Sequence, residues 1–333
     1  MNLVEEKNLL CYDKYINTEV LNQKEDKMNV GQIYGKTLKF VWLKLALGAI
    51  ITGASALLLV LFWGISSLMD NPAVFAILLF VWAILTAVLY KVVMHYGGYM
   101  IKAAHIAVIS QAVTTGTIPE NMFETGKNMV KERFGATNVY FVVDSLVSGA
   151  VKQLQNVVGK IDNIFGNIPG VSAIVSFVQI FIGIALGYID ECCLGYTFYK
   201  KEDGAFKASC DGVAIYFQNA KHLLKSALVT TLIVMGASLL AWLVPFLIIG
   251  AICSLLGVTW WISAFISLLI AAMLKAAFVD SFMMVKTMVS YMEVAPSTEV
   301  TFDIYGKLCK ISSKFKSLFN KAKEETPAME IAE

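Results

Sequence analysis

The chain has 333 residues, of which 57% are hydrophobic and 16% charged, with a mean hydropathy of +0.67. A soluble domain is roughly 45–50% apolar and about 25% charged, so this composition excludes an ordinary water-soluble globule and makes lipid the expected solvent. The net charge of +2, from 27 Lys+Arg and 25 Asp+Glu, together with the lack of a basic-aromatic module, excludes nucleic acid as the expected partner.

Residues 1–30 form a polar segment carrying Glu5, Glu6, Lys7, Asp13, Lys14 and Lys24. That is the wrong chemistry for a cleaved signal peptide, so insertion is expected to use the first apolar span. Residues 31–134 read as a first membrane hairpin. An apolar run over 40–68 is broken only by Lys44, which can snorkel to the interface, and about 20 residues suffice to cross the hydrocarbon core. The turn Asp70-Asn71-Pro72 reverses the chain into a second run from Ala73 to Tyr90, closed by Lys91. An amphipathic extension holding His95, Lys102 and His105 follows.

Residues 135–211 are expected to hold a central amphipathic helix and one membrane helix. Val139, Val143, Leu146, Ala150, Leu154 and Val158 recur at helical spacing, with Asp144, Ser148, Lys152 and Gln155 elsewhere, so an interfacial helix and a spanning one both fit. The run Val171–Tyr188, containing Gln179, is the membrane helix. Asp190-Glu191 after it reads as a solvated helix end, and Cys192-Cys193 as either an acylation site or apolar filler. Residues 212–315 repeat the hairpin, with Lys225 near its start, Pro245 expected to kink the first helix, and a returning run from Trp260 to Lys275 that continues through Asp280. Residues 316–333 read as a polar tail.

The two hairpins match residue by residue. Ile33-Tyr34 corresponds to Ile215-Tyr216, Gly53-Ala54-Ser55 to Gly236-Ala237-Ser238, and Lys91 with Lys102 to Lys275 with Lys286, at offsets of about 180 to 184 positions. The expected fold is therefore an all-α, polytopic transmembrane helical bundle of five or six crossings with an internal duplication of helical hairpins. Five crossings would make the halves inverted and six would make them parallel. Lysines crowd the segments around Lys127, Lys200 and Lys314 and avoid both hairpin tips. Both termini are thus expected in the cytoplasm of a multi-pass cell-membrane protein.

Candidate residues follow from the cost of charge in hydrocarbon. Asp280, Asp144 and Gln179 are the polar groups expected to face a solute path. Lys91 and Lys102, like Lys275 and Lys286, lie eleven residues apart, about three helical turns, and so share a face suited to anionic lipid headgroups. The three histidines and six cysteines form no metal-ligand pattern, and no nucleophile or phosphate-loop motif occurs in a fitting context. Neither a catalytic residue, a metal nor a cofactor is expected, and the chain does not read as an enzyme.

From about Val171 to Val294 the order of features resembles the later membrane region of choline transporter-like proteins. A span runs into Tyr188-Ile189-Asp190 and Cys192-Cys193, a basic segment Ala214-Ile215-Tyr216-Phe217-Gln218-Asn219-Ala220 follows, and the last span passes through Val279-Asp280 to Glu293. The resemblance implies movement of choline or a related amine. Two function classes fit the sequence: a transporter of a small polar or cationic solute, and a non-enzymatic membrane scaffold or assembly protein with dry-packed helices. The expected partners are the lipid bilayer, a small-molecule solute in the first class, and a second copy or another membrane protein in the second.

Overall fold

The computed structural model describes residues 28–69, 72–135, 137–159, 183, 187–257 and 260–325. Among these residues all regular structure is helical, and the protein is an all-α bundle. The first half runs α1 (Val30–Lys36), α2 (Leu38–Met69), α3 (Pro72–Val93), a π-helical turn (Met94–Gly98), α4 (Tyr99–Thr115) and α5 (Met122–Phe134). The centre holds α6 (Thr137–Gly159) and α7 (Ile189–Tyr199). The second half runs α8 (Ala205–Gln218), α9 (Ala220–Leu255), α10 (Trp260–Leu274), a second π-helical turn (Lys275–Val279), α11 (Asp280–Val294), α12 (Phe302–Ile311) and α13 (Ser313–Glu325).

Local chemistry sets these boundaries. A reciprocal capping box opens α1, in which Gln32 N–H donates to Asn29 Oδ1 and Asn29 N–H to Gln32 Oε1, both at 2.9 Å. The helix breaks from α2 at Thr37, whose hydroxyl donates back to the Ile33 carbonyl at 2.8 Å. Gly116, at φ 70°, takes the left-handed conformation that ends α4. Pro245 lies inside α9, which continues from Ala220 to Leu255 as one helix.

Four helical segments among the described residues are long and apolar enough to cross a membrane, namely Leu38–Met69, Ala73–Val93, Thr230–Leu255 and Trp260–Ser297. A fifth arises only if α5 and α6, bent by 84°, are one broken span. The expected span Val171–Tyr188 falls almost wholly outside the described residues. Along α2, α3, α9 and α10 the outward faces are apolar, with Leu57, Phe80, Leu239 and Leu247 all at least 60% exposed. Apolar surface on that scale requires lipid around it, so the protein is an integral membrane protein.

The hairpins pack together and point the same way. Gly48 near the start of α2 meets Met273 near the end of α10, and Trp82 of α3 packs edge-on against Phe265 of α10 at 5.7 Å. Beneath them, α4 to α8 and α11 to α13 surround one core that buries Ile106, Ile109, Tyr140, Val147, Ile189, Leu194, Ile215, Tyr291, Phe315 and Phe319. The segments flanking the hairpins, among them the amphipathic extension after Lys91 and the central amphipathic helix expected from sequence, therefore form a folded helical domain. Residues 316–325, expected as part of a polar tail, belong to α13, which turns Phe315, Leu318, Phe319 and Ala322 into this core. That spacing is the stripe of an amphipathic helix, and the lysines occupy its other face. Similarly α6 turns Tyr140, Val143, Val147, Ala150, Val151 and Leu154 inward. Cys192 and Cys193 are fully buried, which leaves them as apolar filler rather than acylation sites.

Candidate functional site at the junction of hairpins and helical domain

Two helices of the core are buried along most of their length. In α4, Ile101, Ala103, Ala104, Ile106, Ala107, Val108 and Ile109 are all buried, and α7 buries every residue from Ile189 to Phe198. Polar residues in such helices have no water to face and must satisfy one another. Lys102 of α4 meets the acidic doublet of α7: its ammonium donates to Glu191 Oε1 at 3.0 Å and to Asp190 Oδ2 at 3.4 Å.

One ammonium therefore faces two carboxylates, whose side chains are only 12% and 11% exposed. Burial raises the Glu191 carboxyl well above the usual carboxylate range, and the adjacent Asp190 charge raises it further. Burial alone would raise Asp190 too, but Lys102 and a hydrogen bond with Glu191 hold it below its ordinary value. Burial opposes the charge on Lys102, yet Glu191, Asp190 and Asp144 outweigh it and keep the ammonium protonated. With both acids ionised, Glu191 Oε2 has no hydrogen-bond partner. A proton on Glu191 lets the pair close as carboxylic acid and carboxylate.

A second set of contacts ties the hairpins to this domain. Lys44 of α2 donates to Ser281 Oγ of α11 at 3.0 Å and lies 3.4 Å from His105 Nδ1, while Phe40 stacks on the His105 ring at 4.6 Å. Lys44 is thus engaged in the protein rather than snorkelling. Tyr34 of α1 donates to the Phe278 carbonyl in the second π turn at 3.3 Å. Asp280 Oδ1, just after that turn, accepts from Lys275 Nζ at 2.6 Å and from Tyr188 Oη at 2.9 Å.

Between α7, α9 and the start of α11 lies an open cleft of about 950 Å³, whose wall includes Tyr188, Glu191, Ser238, Trp242, Lys275 and Asp280. Two carboxylates, the Lys275 ammonium that pairs with one of them, and two aromatic rings thus share one largely apolar cleft. Among the described residues no group of three His, Cys, Asp or Glu side chains is placed to hold a metal ion.

Of the residues expected from sequence, Asp280 lies on the wall of the cleft and is matched there by Lys275. Asp144 is absent from that wall and acts instead on Lys102 from α6. Gln179 lies outside the described residues. Among the lysines expected at lipid headgroups, Lys102 is committed to Asp190 and Glu191, and Lys275 to Asp280. Lys91 is exposed at the end of α3, and Lys286 is half-buried in α11. The residues that sequence reasoning missed are Glu191 and Asp190. Their signal was the uninterrupted apolar setting of Ile189, Cys192, Cys193 and Leu194, which a solvated helix end would not have. Comparison with protein-family models, with curated proteins and with solved structures finds no match to this chain.

Proposed function

We propose that this is a non-enzymatic protein of the cell membrane that binds a small organic cation at the junction cleft and moves it across the bilayer. The observation that carries this reading is the cleft of about 950 Å³ with Glu191 and Asp280 in its wall beside Tyr188 and Trp242. A carboxylate supplies charge and an aromatic face adds cation–π attraction. The ordering around Tyr188-Ile189-Asp190 that resembles choline transporter-like proteins points to the same substrate class. The lysine-rich segments around Lys127, Lys200 and Lys314 support a cytoplasmic position for both termini.

The two halves are read as copies. Each has a short helix, a long helix, a returning helix, a π-helical turn and a further helix, with the π turns 181 positions apart at Met94–Gly98 and Lys275–Val279. In that register Tyr99 stands opposite Asp280, and Lys275 opposite Met94 rather than Lys91. This shifts the sequence match by three residues, close to one helical turn. Hairpins that point the same way support a parallel relation.

The test is uptake of labelled choline and related amines into proteoliposomes, against empty liposomes and against Asp280→Asn. The wild type accumulates an amine, and Asp280→Asn abolishes accumulation, because the uncompensated Lys275 then repels the cation. If the wild type moves no amine, the reading fails. A membrane scaffold is the second reading, favoured by the closed Asp280–Lys275 pair at 2.6 Å, and it expects no uptake from any variant.

A further inference from the structure

The charges that the cleft presents come as a matched pair. Lys275 and Asp280 meet at 2.6 Å, while Glu191, the other acid of the wall, is already engaged by Lys102. Neither member of the pair is used up by the other. Lys275 keeps 45% and Asp280 33% of its side-chain surface exposed, and both line the cleft. An ammonium has three N–H donors, of which Asp280 takes one. Asp280 Oδ1 accepts from both Lys275 and Tyr188, which leaves Oδ2 without a hydrogen bond among the described residues. A positive and a negative group thus lie side by side with bonding capacity toward one space. A lone cation would use only the second of them, whereas a head that carries an anion and a cation in one piece uses both.

The rest of the cleft is built for an apolar chain. Its α9 wall includes Val234, Met235, Leu239 and Trp242, all within the membrane span Thr230–Leu255. Leu239 is 60% exposed on the outward face of that helix, so the wall runs without a break into surface that lipid covers. Ligand pockets of about 300–1,000 Å³ hold drug-sized molecules, and a cleft of about 950 Å³ is far larger than a bare quaternary ammonium fills. We propose that the cation taken by this cleft is the head of a zwitterionic phospholipid, with its phosphate on Lys275, its ammonium on Asp280 and the aromatic rings, and its acyl chain along α9. This rests on the cation-binding reading above and names the class of cation. Such a ligand adds no net charge beside a membrane span, where an unmatched charge is costly.

The experiment is binding of three probes with the same hexadecyl tail to the full chain in maltoside micelles, each corrected for uptake by empty micelles. Hexadecylphosphocholine carries both charges, hexadecyltrimethylammonium only the cation and hexadecyl phosphate only the anion; labelled tetramethylammonium serves as the tail-less cation. In wild type hexadecylphosphocholine binds at least about tenfold more tightly than either single-charge probe, the worth of one charge-assisted hydrogen bond. In Lys275→Met its advantage over hexadecyltrimethylammonium disappears while tetramethylammonium still binds, and in Asp280→Asn its advantage over hexadecyl phosphate disappears. Hexadecylphosphocholine that binds no more tightly than hexadecyltrimethylammonium in wild type, or an advantage that survives Lys275→Met, overturns the lipid proposal and leaves the cation site standing. Tetramethylammonium that binds as tightly as the tailed probes overturns the chain along α9, and the proposal with it. If neither tetramethylammonium nor any choline-bearing probe binds, the cation reading itself fails. Size-exclusion and thermal profiles of each variant keep misfolding separate from loss of the site.

Discussion

Replacement of Lys102 by methionine is the most direct perturbation of the junction, because it keeps the length of the side chain and removes its charge. The ammonium lies 3.0 Å from Glu191 and 3.4 Å from Asp190, and its loss leaves two carboxylates that are about nine-tenths buried without a counter-charge. Breaking one partner from a buried ion pair costs about 3–5 kcal/mol. Lys102 keeps 31% of its side-chain surface exposed, so water enters the hole and the lower figure applies, about 3 kcal/mol. At about 2–4 °C per kcal/mol for a chain of 150–250 residues, the fall in Tm is at most about 6–12 °C for this longer chain. Thermal unfolding in detergent, followed by helical circular dichroism, reads it. The triple variant Lys102→Met, Asp190→Asn, Glu191→Gln removes charge from all three groups and regains most of the loss. A Lys102→Met protein within about 2 °C of wild type, below what any buried pair should cost, would refute the claim that this network is buried and interdependent.

The other expectations concern packing, the cleft and topology. Gly126→Ala destabilises by about 1–3 kcal/mol, the cost of overpacking, because a methyl there would sit 2.5 Å from the Ala104 carbonyl oxygen of α4. Gly53→Ala, with nothing within 4 Å, gains about 0.5–1 kcal/mol of helix propensity, and paired unfolding curves compare the two. Lys275→Met frees Asp280 from its 2.6 Å partner, so tetramethylammonium binding tightens several-fold; unchanged or weaker binding would remove Asp280 from the site. Single cysteines replacing Lys127 or Lys314 stay unlabelled by impermeant maleimide in intact cells and label after permeabilisation. Labelling from outside would invert the proposed topology.

The membrane hairpins were legible in the sequence because lipid selects for uninterrupted apolar runs, and Leu38–Met69 and Ala73–Val93 have nothing else to report. The helical domain was harder to see. α13 carries Lys314, Lys316, Lys321 and Lys323, and this density of charge hides the stripe Phe315, Leu318, Phe319, Ala322 that the structure buries. The π-helical turns were not legible, since one extra residue in a helical turn changes neither composition nor hydropathy. Lys91 lies three residues before the first π turn whereas Lys275 opens the second, so the two lysines do not occupy the same place relative to the turns. Of the site, Asp280 could be found as an acid in an apolar helix, but its pairing with Tyr188 joins residues 92 positions apart. Asp190 and Glu191 were visible and misjudged. An acid after a membrane run is ordinarily solvated, and only the apolar residues that follow show that this helix turns inward.

The energetics of the junction bear on which function class it serves. Buried ion pairs are weak contributors to stability: exchange for well-packed apolar side chains is often neutral, or stabilising by about 1–4 kcal/mol. A helix bundle that needed only to hold its hairpins on a helical domain would be served as well by leucine at positions 102, 190 and 191. The contacts that join hairpin to domain include a polar set, with Lys44 to Ser281, Tyr34 to the Phe278 carbonyl, and Tyr188 to Asp280, beside an apolar cluster of Phe40 and Leu47 with Ile101, Ala104, Val108 and Met122. Two of the three involve residues in the second π turn or immediately after it, where the helical hydrogen-bond ladder is already locally rearranged. A change of charge at Asp280 therefore acts at the hydrogen-bonded part of that attachment, where Tyr188 and Lys275 both reach its carboxylate. Solute arrival can bias the angle of α9 and α10 against the domain only if it alters those contacts, because a ligand shifts a conformational equilibrium by its differential affinity alone.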